Sequence, residues 1–375
     1  YVGMKTFTGP AKPTMKITMI NDNSALDEVV VTAFGEQKRS AFTGSAAIVD
    51  SKKIEHKQVN NVMSSLKGEA AGVQIIDNSG EPGATPSIRV RGFSSISAGQ
   101  NPLIIVDGAP YDGGWNNLNP ADVASVTVLK DASSTALYGA RGANGVIMVT
   151  TKHAQVGNAH ISVDMRWGTN SRIKRYYETI DDPVKYYEVY YNALYNYQLK
   201  GLGLTPAQAT IEANKQLVAP GAAGGLGYPI FTVPNGEQLI GEDGRMNPHA
   251  TLGRVIEHNG KRYTILPDDW KSLAFRNGLR KEYDVNLTGG SDKMQYYLSL
   301  GYLNNEGVAY HSDFERITVR AKADYEARKW LKVGTNMNFS RAKYHVIPSD
   351  DNGLFYQLNN VAPIYPAFIR DEQGN

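Results

Sequence analysis

The sequence predicts a small α/β domain followed by long antiparallel strands that belong to one larger sheet. Two observations lead to this fold class. Glycine accounts for 37 of the 375 residues, more than the roughly 7% norm, and without a collagen-like repeat this is typical of a turn-rich chain. Tyrosine is unevenly distributed: 19 of the 22 tyrosines lie after residue 157, where the apolar pattern changes to a period of two.

Composition excludes several classes of protein. A hydrophobic content of 41% with a net charge of +2 excludes a disordered chain, and the absence of a Lys/Arg block argues against nucleic acid as a partner. No apolar stretch is long enough for a transmembrane helix, although membrane strands are not excluded on this ground. The lack of cysteine rules out disulfides and thiol catalysis within these residues. The chain runs from Tyr1 to Asn375, and we expect both ends to be cuts in something longer.

The N-terminal region contains three β-prone pieces. Tyr1–Phe7 and Thr14–Ile20 are followed by Leu26–Thr32, which has three consecutive valines between polar flanks. β-Branched residues favour an extended backbone. Leu26–Thr32 is therefore either an edge strand of the neighbouring domain or a docking peptide that adds a strand to a partner's sheet. On local sequence alone the edge strand is favoured.

A compact α/β pattern covers residues 58–152. The apolar spacing from Val59 to Leu66 predicts a helix that stops at Gly68. Asn119 and Pro120 predict a short capped helix, and Asp131 is expected to cap another. The helix that Asp131 caps is predicted at Ala132–Tyr138. The predicted strands are Ser87–Arg91, Leu103–Val106, Ser125–Lys130 and Val146–Thr151.

After residue 157 apolar and polar side chains alternate in five segments, which predicts antiparallel strands with one polar and one apolar face. Several run for about ten residues, the length of a tilted strand that crosses a bilayer. The five segments are His160–Trp167, Tyr283–Thr288, Gln295–Tyr302, Arg316–Tyr325 and Leu331–Ser340.

The lengths of the connections distinguish two kinds of sheet. Short turns at 289–292 and 327–329 alternate with longer connections at 304–313 and 172–277, as in outer-membrane barrels. A soluble sandwich stays open as the alternative. The aromatic residues near strand ends that fit an interfacial girdle are Tyr283, Tyr302, Tyr325 and Phe314, whereas Trp330 and Tyr344 have the wrong parity for the lipid face. Five strands cannot close a barrel, because bacterial single-chain barrels have at least eight.

The long insertion predicts two helices. Asp182-Pro183 begins the first, which runs to Lys200, and Thr205-Pro206-Ala207-Gln208 is a capping box that begins the second. Tyr187, Tyr191 and Tyr195 recur at a spacing of four residues. This stripe is either a platform for sugar rings or the packing face between the helices, and packing is favoured.

Long contiguous motifs resemble the SusC/RagA-like TonB-dependent outer-membrane receptors of Bacteroidetes, and the barrel-like region Trp270–Arg341 resembles the early strands of the same family. The motifs are Ile88-Arg89-Val90-Arg91-Gly92, Asn101–Gly108, Leu118–Asp122, Val128–Ser134 and Tyr138–Ile147.

The resemblance implies an α/β plug domain inside a transmembrane antiparallel β-barrel of 22 strands, of which this chain holds about the first five. Residues 1–20 then end a carboxypeptidase-regulatory-like β domain, 21–39 form a linker, 40–155 the plug, and 158–375 the first barrel strands with a large extracellular loop at about 172–277. The linker contains the TonB box, which overturns the edge-strand interpretation. The box residues are Leu26, Asp27, Glu28, Val29, Val30, Val31 and Thr32.

The resemblance also implies a function and partners. The expected function is TonB-dependent import of oligomeric nutrients, glycans more than peptides, across the Gram-negative outer membrane. The expected partners are a SusD-like lipoprotein lid, the TonB-ExbB-ExbD complex, the oligosaccharide or oligopeptide, and outer-membrane lipid, with a dimer of SusCD-like pairs. Tyr111 and Trp115 are the candidate substrate contacts. Import of siderophores or cobalamin is one alternative, and a surface glycan-binding adhesin is another.

No pattern for an enzyme or a cofactor is found. The seven histidines form no HExxH motif, so a zinc site is not expected. Gly139–Gly145 follows a helix rather than a strand, which is the wrong order for a phosphate loop. Three adjacent Asp pairs, 181–182, 268–269 and 350–351, are expected to be solvated or to cap helices. Loop carboxylates leave calcium open, without an EF-hand pattern.

Overall fold

The structure is a computed structural model. It describes residues 29–32, 35–38, 46–348 and 353–373, except 56, 58, 78, 91, 93–100, 155, 173–178 and 228. The expected β pieces at 1–20 and the Asp350-Asp351 pair lie outside the described residues.

The helices and strands follow the chain in this order: β1 (Val29–Thr32), β2 (Gly35–Lys38), β3 (Ala46–Asp50), α1 (Ser51–Glu55), α2 (Val62–Ser65), β4 (Val73–Ile76), β5 (Ser87–Val90), β6 (Leu103–Val106), β7 (Ala109–Pro110), β8 (Val123–Leu129), α3 (Ala132–Thr135), β9 (Val146–Thr151), β10 (Gly157–Asn170), α4 (Pro183–Asn196), α5 (Pro206–Leu217), β11 (Phe231–Thr232), β12 (Thr251–Leu252), β13 (Arg254–His258), β14 (Lys261–Ile265), α6 (Trp270–Ala274), β15 (Gly278–Gly290), β16 (Met294–Glu306), β17 (Asp313–Arg328), β18 (Leu331–His345), α7 (Leu354–Asn360) and β19 (Arg370–Asp371).

The chain divides into two units. The first comprises the described residues up to Asn170 together with Leu279–Gly307 and Ser312–His345, and the second comprises Ser171–Gly278, Val308–His311 and Val346 onward. Within the described residues no helix is both long and apolar enough to span a bilayer.

The α/β domain of the first unit is built on a five-stranded sheet in the order β3-β8-β9-β6-β7. β6 and β9 are parallel and the other pairs antiparallel. Its central strands β8 and β9 are largely buried on both faces and read as nearly continuous apolar runs, such as Val146–Val149, which is typical of central strands. Helix α2 packs Val62 and Met63 into this core.

Two predicted helices of this domain are shorter than expected. Asn61 caps α2, accepting from the amide of Ser64, so the helix covers only part of the predicted stretch. Asp131 caps α3 as predicted, with 2.8 Å between its Oδ1 and the amide of Ser134. The α-helix then ends at Thr135 and continues as 3₁₀ turns with a break at Gly139, so the prediction of one helix to Tyr138 was wrong.

The second sheet of the first unit, here called the wall sheet, has the order β10-β15-β16-β17-β18. The registers from β15 to β18 are antiparallel between sequence neighbours. The strands are 13 to 16 residues long, well beyond the usual 5–6 or so. This confirms the prediction of long antiparallel strands joined by short turns at one end, and their length is enough for a tilted strand to cross a bilayer.

The outer face of the wall sheet is apolar and exposed, as the alternation predicts. Its side chains include Ile161, Met165, Val285, Leu298, Leu300, Ile317, Val333, Met337 and Phe339. The prediction that Phe314 belongs to an interfacial girdle is wrong, because its side chain is fully buried and lies on the same strand face as Arg316 rather than that of Ile317. It therefore faces inward and belongs to no girdle of aromatic residues.

The second unit contains the two predicted helices. α4 begins at the N-cap Asp182 and ends at Asn196, where a π-turn, Tyr197–Gly201, carries the chain on to the predicted stop. Thr205 and Gln208 form the predicted capping box of α5. Tyr187 and Tyr191 are fully buried, and burial raises the pKa of Tyr187 to about 12. The packing interpretation of the tyrosine stripe is therefore confirmed.

Candidate functional site

On β15, β16 and the first half of β17, the inner face of the wall sheet is polar and almost fully buried. Its nearly inaccessible side chains include Arg280, Glu282, Asp284, Ser299, Arg316, Thr318 and Arg320. Buried charges and amides need hydrogen-bond partners because desolvation without them is costly. The partners lie on the α/β domain of the same unit, and the contact between the two sheets is the candidate functional site.

Arg316 is the largest fully buried side chain of the described residues, with 2% of its surface exposed. Its Nη1 donates to the backbone oxygens of Asn60 (2.7 Å), Leu118 (3.1 Å) and Asn116 (3.3 Å). Its Nη2 donates to Oδ1 of Asn119 at 3.2 Å. One guanidinium thereby gathers four acceptors from two separate segments of the α/β domain.

Arg320 forms an ion pair with Asp107, at 2.5 Å between Nη2 and Oδ2. The same carboxylate accepts from the backbone amide of Thr151 (2.9 Å), from the Thr151 hydroxyl (2.6 Å) and from the side-chain amide of Asn336 (2.7 Å). Burial alone would raise the pKa of the Asp107 carboxyl, but these hydrogen bonds and the guanidinium hold the pKa below its ordinary value of 3.8. The carboxylate therefore stays charged and joins β6, β9, β17 and β18.

Asp107 also shapes the hairpin that carries it. Its φ is +48°, and Gly108 follows at +85°, so the pair forms the two-residue turn between β6 and β7. Two successive positive φ values match the twist of a tight hairpin, and Asp-Gly is one of the sequences that adopt them.

The β8 end of the domain makes a third contact with the wall sheet. Asn119 caps the 3₁₀ turn Pro120–Asp122 through its Oδ1, while its Nδ2 donates to Asp284 at 2.7 Å. The hydroxyl of Tyr297 donates to Asp122 at 3.0 Å. Tyr297 breaks the polar pattern of its strand face in the sequence, and this contact explains why it lies on that face.

An open pocket of about 400 Å³ in the α/β domain contains both candidate substrate contacts, Tyr111 and Trp115. Asp112 and Arg141 line the same pocket and form an ion pair at 2.8 Å. Both aromatic residues are half-buried, and burial raises the pKa of the Tyr111 hydroxyl. The pocket therefore combines aromatic surface with a charged pair whose side chains are mostly exposed.

The predicted TonB box is described in part. Val29–Thr32 form β1, which pairs with β2 in the register Val29↔Lys38 to Thr32↔Gly35. Leu26, Asp27 and Glu28 lie outside the described residues. The valine strip is extended, as its composition predicts.

A second cavity, of about 370 Å³, lies in the second unit beside Trp270 and Leu358. Its acidic side chains already have partners: Asp181 pairs with Lys271 at 2.8 Å, Asp268 pairs with Arg370, and Asp269 caps α6. The predicted capping role is thus confirmed for Asp182 and Asp269. No group of three acidic or histidine side chains suited to a metal ion occurs among the described residues.

The most buried residues of the site were not singled out from sequence. The alternation placed Arg316 and Arg320 on a polar face, and Asp107 stood within the Asn101–Gly108 motif. Their contacts join residues some 200 positions apart, which no local pattern encodes. The available signal was arginine on the inner face of a strand, because arginine is rarely buried without a partner.

Comparison with known proteins gives a consistent result. The family model described as TonB-dependent receptor plug domain matches residues 38–146. The TonB-dependent receptor P26 of Formosa agariphila is 31% identical over the whole chain, which covers 32% of that relative. The TonB-dependent receptor SusC of Bacteroides thetaiotaomicron is 29% identical over 92% of the chain, covering 29% of that relative.

A solved structure of the RagAB peptide importer in the open-open state is similar in fold, with a TM-score of 0.66 and 27% identity. The match covers 92% of this chain and 36% of the RagAB chain. The chain therefore spans about a third of the length of the proteins it matches.

Proposed function

The chain belongs to the TonB-dependent receptors of the SusC/RagA type, outer-membrane proteins of Gram-negative Bacteroidetes, and from this premise we propose that the whole protein imports oligomeric nutrients. In this proposal the α/β domain is the plug, the wall sheet is the first part of the barrel, and Leu26–Thr32 is the TonB box. Its relatives are receptors and transporters, which points away from an enzyme.

One observation carries the proposal: the polar inner face of the barrel wall is occupied by the plug through buried hydrogen bonds. A barrel closed in this way passes an oligomer only after these bonds break. Breaking several buried charge-assisted bonds requires work. An extended box that pairs edge-on with TonB gives the inner-membrane motor, TonB-ExbB-ExbD, a handle through which to pull.

The proposed cargo is an oligosaccharide, with oligopeptides as the second class. The pocket around Tyr111 and Trp115 supports this, since sugar rings pack their apolar faces on aromatic side chains while hydroxyls bond charged groups such as Asp112 and Arg141. The RagAB relative is described as a peptide importer, and the same pocket chemistry accommodates a peptide. A SusD-like lipoprotein lid and a dimer of such pairs complete the proposed assembly.

The test of the proposed function is deletion of Leu26–Thr32 from the full-length receptor in its native cell. Uptake of radiolabelled oligomer should fall to background, while barrel assembly and binding of the same oligomer to purified complex stay unchanged, because the described box residues, Val29–Thr32, do not line the pocket. Val30→Pro should reproduce the loss, since proline removes a ladder donor, and Val30→Thr should keep uptake. Normal uptake after the deletion would refute TonB-driven import.

The substrate contacts are tested through the ligand that mass spectrometry identifies in the purified complex. Trp115→Ala should weaken binding of that ligand about tenfold, equivalent to roughly 1.4 kcal/mol, because an aromatic contact surface is lost. Trp330→Ala is the matched control, since Trp330 is exposed and lies between β17 and β18. Equal affinity of the two variants would remove Trp115 from the substrate site.

A further inference from the structure

Arg316 bonds two separate segments of the plug, as Arg320 does through Asp107 and Thr151, but among the described residues of the wall only Arg316 bonds the backbone of the segment that carries Trp115. Arg280 and Asn305 bond the side chain of Asn60, and Tyr297 bonds Asp122. These bonds go to the side chains of Asn60 and Asp122. Arg316 bonds Asn60 on one side and residues 116–119 on the other.

The two segments have different positions in the plug. Asn60 immediately precedes the N-cap of α2, on the N-terminal side of the domain that leads back to β3 and β1. Residues 116–118 lie in and directly after the 3₁₀ turn Trp115–Asn117, the turn that presents Trp115 to the pocket. The same junction is reinforced within the plug, where Asn61 donates to Asn116 at 3.3 Å.

We propose that Arg316 is a positioning residue that makes the segment at Asn60 and the segment carrying Trp115 move as one body against the barrel wall. A displacement at the pocket is then transmitted to the N-terminal side of the plug. The inference rests on the proposed function only in taking the pocket as the place where cargo arrives. The mechanical link itself holds whatever the cargo is.

The chemistry of the guanidinium suits this role. Arginine presents five donors in a rigid planar fork, so a single side chain satisfies three backbone oxygens and an amide oxygen at once. Lysine has one ammonium on a flexible stem and cannot hold both segments with the same geometry. Three of the four acceptors belong to the buried residues Asn116, Leu118 and Asn119, so losing their donor leaves unsatisfied groups rather than hydrated ones.

Hydrogen exchange of the purified full-length receptor, measured without cargo, tests the inference. Arg316→Lys should raise exchange together in the peptides 59–66 and 112–119, by about tenfold or more, since losing one such bond corresponds to roughly 1.4 kcal/mol. Tyr297→Phe is the matched control: it removes the bond to Asp122 and should raise exchange near 119–123 only. Unchanged protection of β9 (Val146–Thr151) reports that the plug core stays folded.

A double-mutant cycle then tests transmission. Trp115→Ala should raise exchange in 59–66 when Arg316 is present and add nothing when Arg316 is replaced by Met, because the link is already broken. Independent effects of the two substitutions, or an Arg316→Lys change confined to one segment, would overturn the inference. Failure of the proposed function appears separately, as normal uptake after deletion of the box.

Discussion

The carboxylate of Asp107 shows how a single side chain holds two sheets together. Its backbone conformation makes the β6–β7 turn, and its oxygens take bonds from Thr151 on β9, Arg320 on β17 and Asn336 on β18. Asparagine could make the turn, but only a carboxylate balances the buried guanidinium of Arg320. The residue therefore has both a local and a long-range requirement, and Asp-Gly satisfies both.

Asp107→Asn should lower the free energy of unfolding of the receptor by about 3–5 kcal/mol, because it leaves a buried arginine without its counter-charge. The measurement is urea unfolding in detergent. Since the pKa of Asp107 in the folded protein lies below 3.8, its stabilisation is present above the unfolded-state pKa and is lost as pH falls through the lower, folded value. The difference between wild type and variant should therefore be constant from about pH 8 to 5 and shrink only in stronger acid.

Asp112→Asn is the control for this substitution. Asp112 also pairs with an arginine, Arg141, but their side chains are 82% and 59% exposed. An exposed pair is worth about 0–1 kcal/mol. Equal destabilisation by the two variants would contradict a special role for the buried pair.

At the scale of the elements, the alternating period was enough to predict the wall strands and their faces. Period two fixes which residues share a face, so Arg316 and Arg320 were placed opposite Ile317 and Val319 correctly. Tyr297 lies on the polar face, as its parity predicts. Phe314 was placed wrongly, because aromatic side chains occur on either face and their orientation depends on the neighbours that they pack against. Phe314 lies against Gly83 of the plug, a contact that sequence distance hides.

If the apolar outer face of the wall sheet meets lipid, the cost of placing a charge on it should depend on depth in the bilayer. Leu300→Lys should destabilise the barrel by about 2–4 kcal/mol, the cost of a cation facing lipid near the bilayer midplane, whereas Met294→Lys on the same strand face should cost about 0–1 kcal/mol at the strand end. The two side chains are similarly exposed, at 48% and 47%, so depth is the variable. Unfolding in lipid vesicles measures both. Equal costs would show that this face does not meet the hydrocarbon region.

At the scale of the whole molecule, the sequence predicted the parts but not how they fit. Motifs and strand periods predicted a plug-like domain and barrel strands, and the comparisons and the structure agree. Which plug residue meets which wall residue depends on the packing of two sheets. The buried charges show this fit: Arg280 pairs with Glu282 on its own strand, whereas Arg320 on the wall pairs with Asp107 of the plug.

If import requires the plug to leave the wall, a covalent link between them should stop it. A Cβ placed at Gly83 would lie 3.3 Å from the Cβ of Tyr344 on β18 and 2.8 Å from Cδ2 of Phe314. Disulfides need a Cβ–Cβ distance of about 3.5–4.5 Å, so Gly83→Cys with Tyr344→Cys comes close to this distance, and Phe314→Ala makes room for the new side chain. The φ of Gly83 is +81°, so the cysteine strains the backbone there, and the control variant carries the same strain. This chain has no other cysteine.

Oxidised receptor carrying the three substitutions should bind cargo but not import it, and reductant should restore uptake in the same cells. Gly83→Cys with Phe314→Ala alone, which cannot form the link, controls for packing and should be insensitive to reductant. Equal uptake before and after reduction would mean that the loop at Gly83 stays against the wall during transport. The passage would then have to open elsewhere in the plug, on the side away from β18.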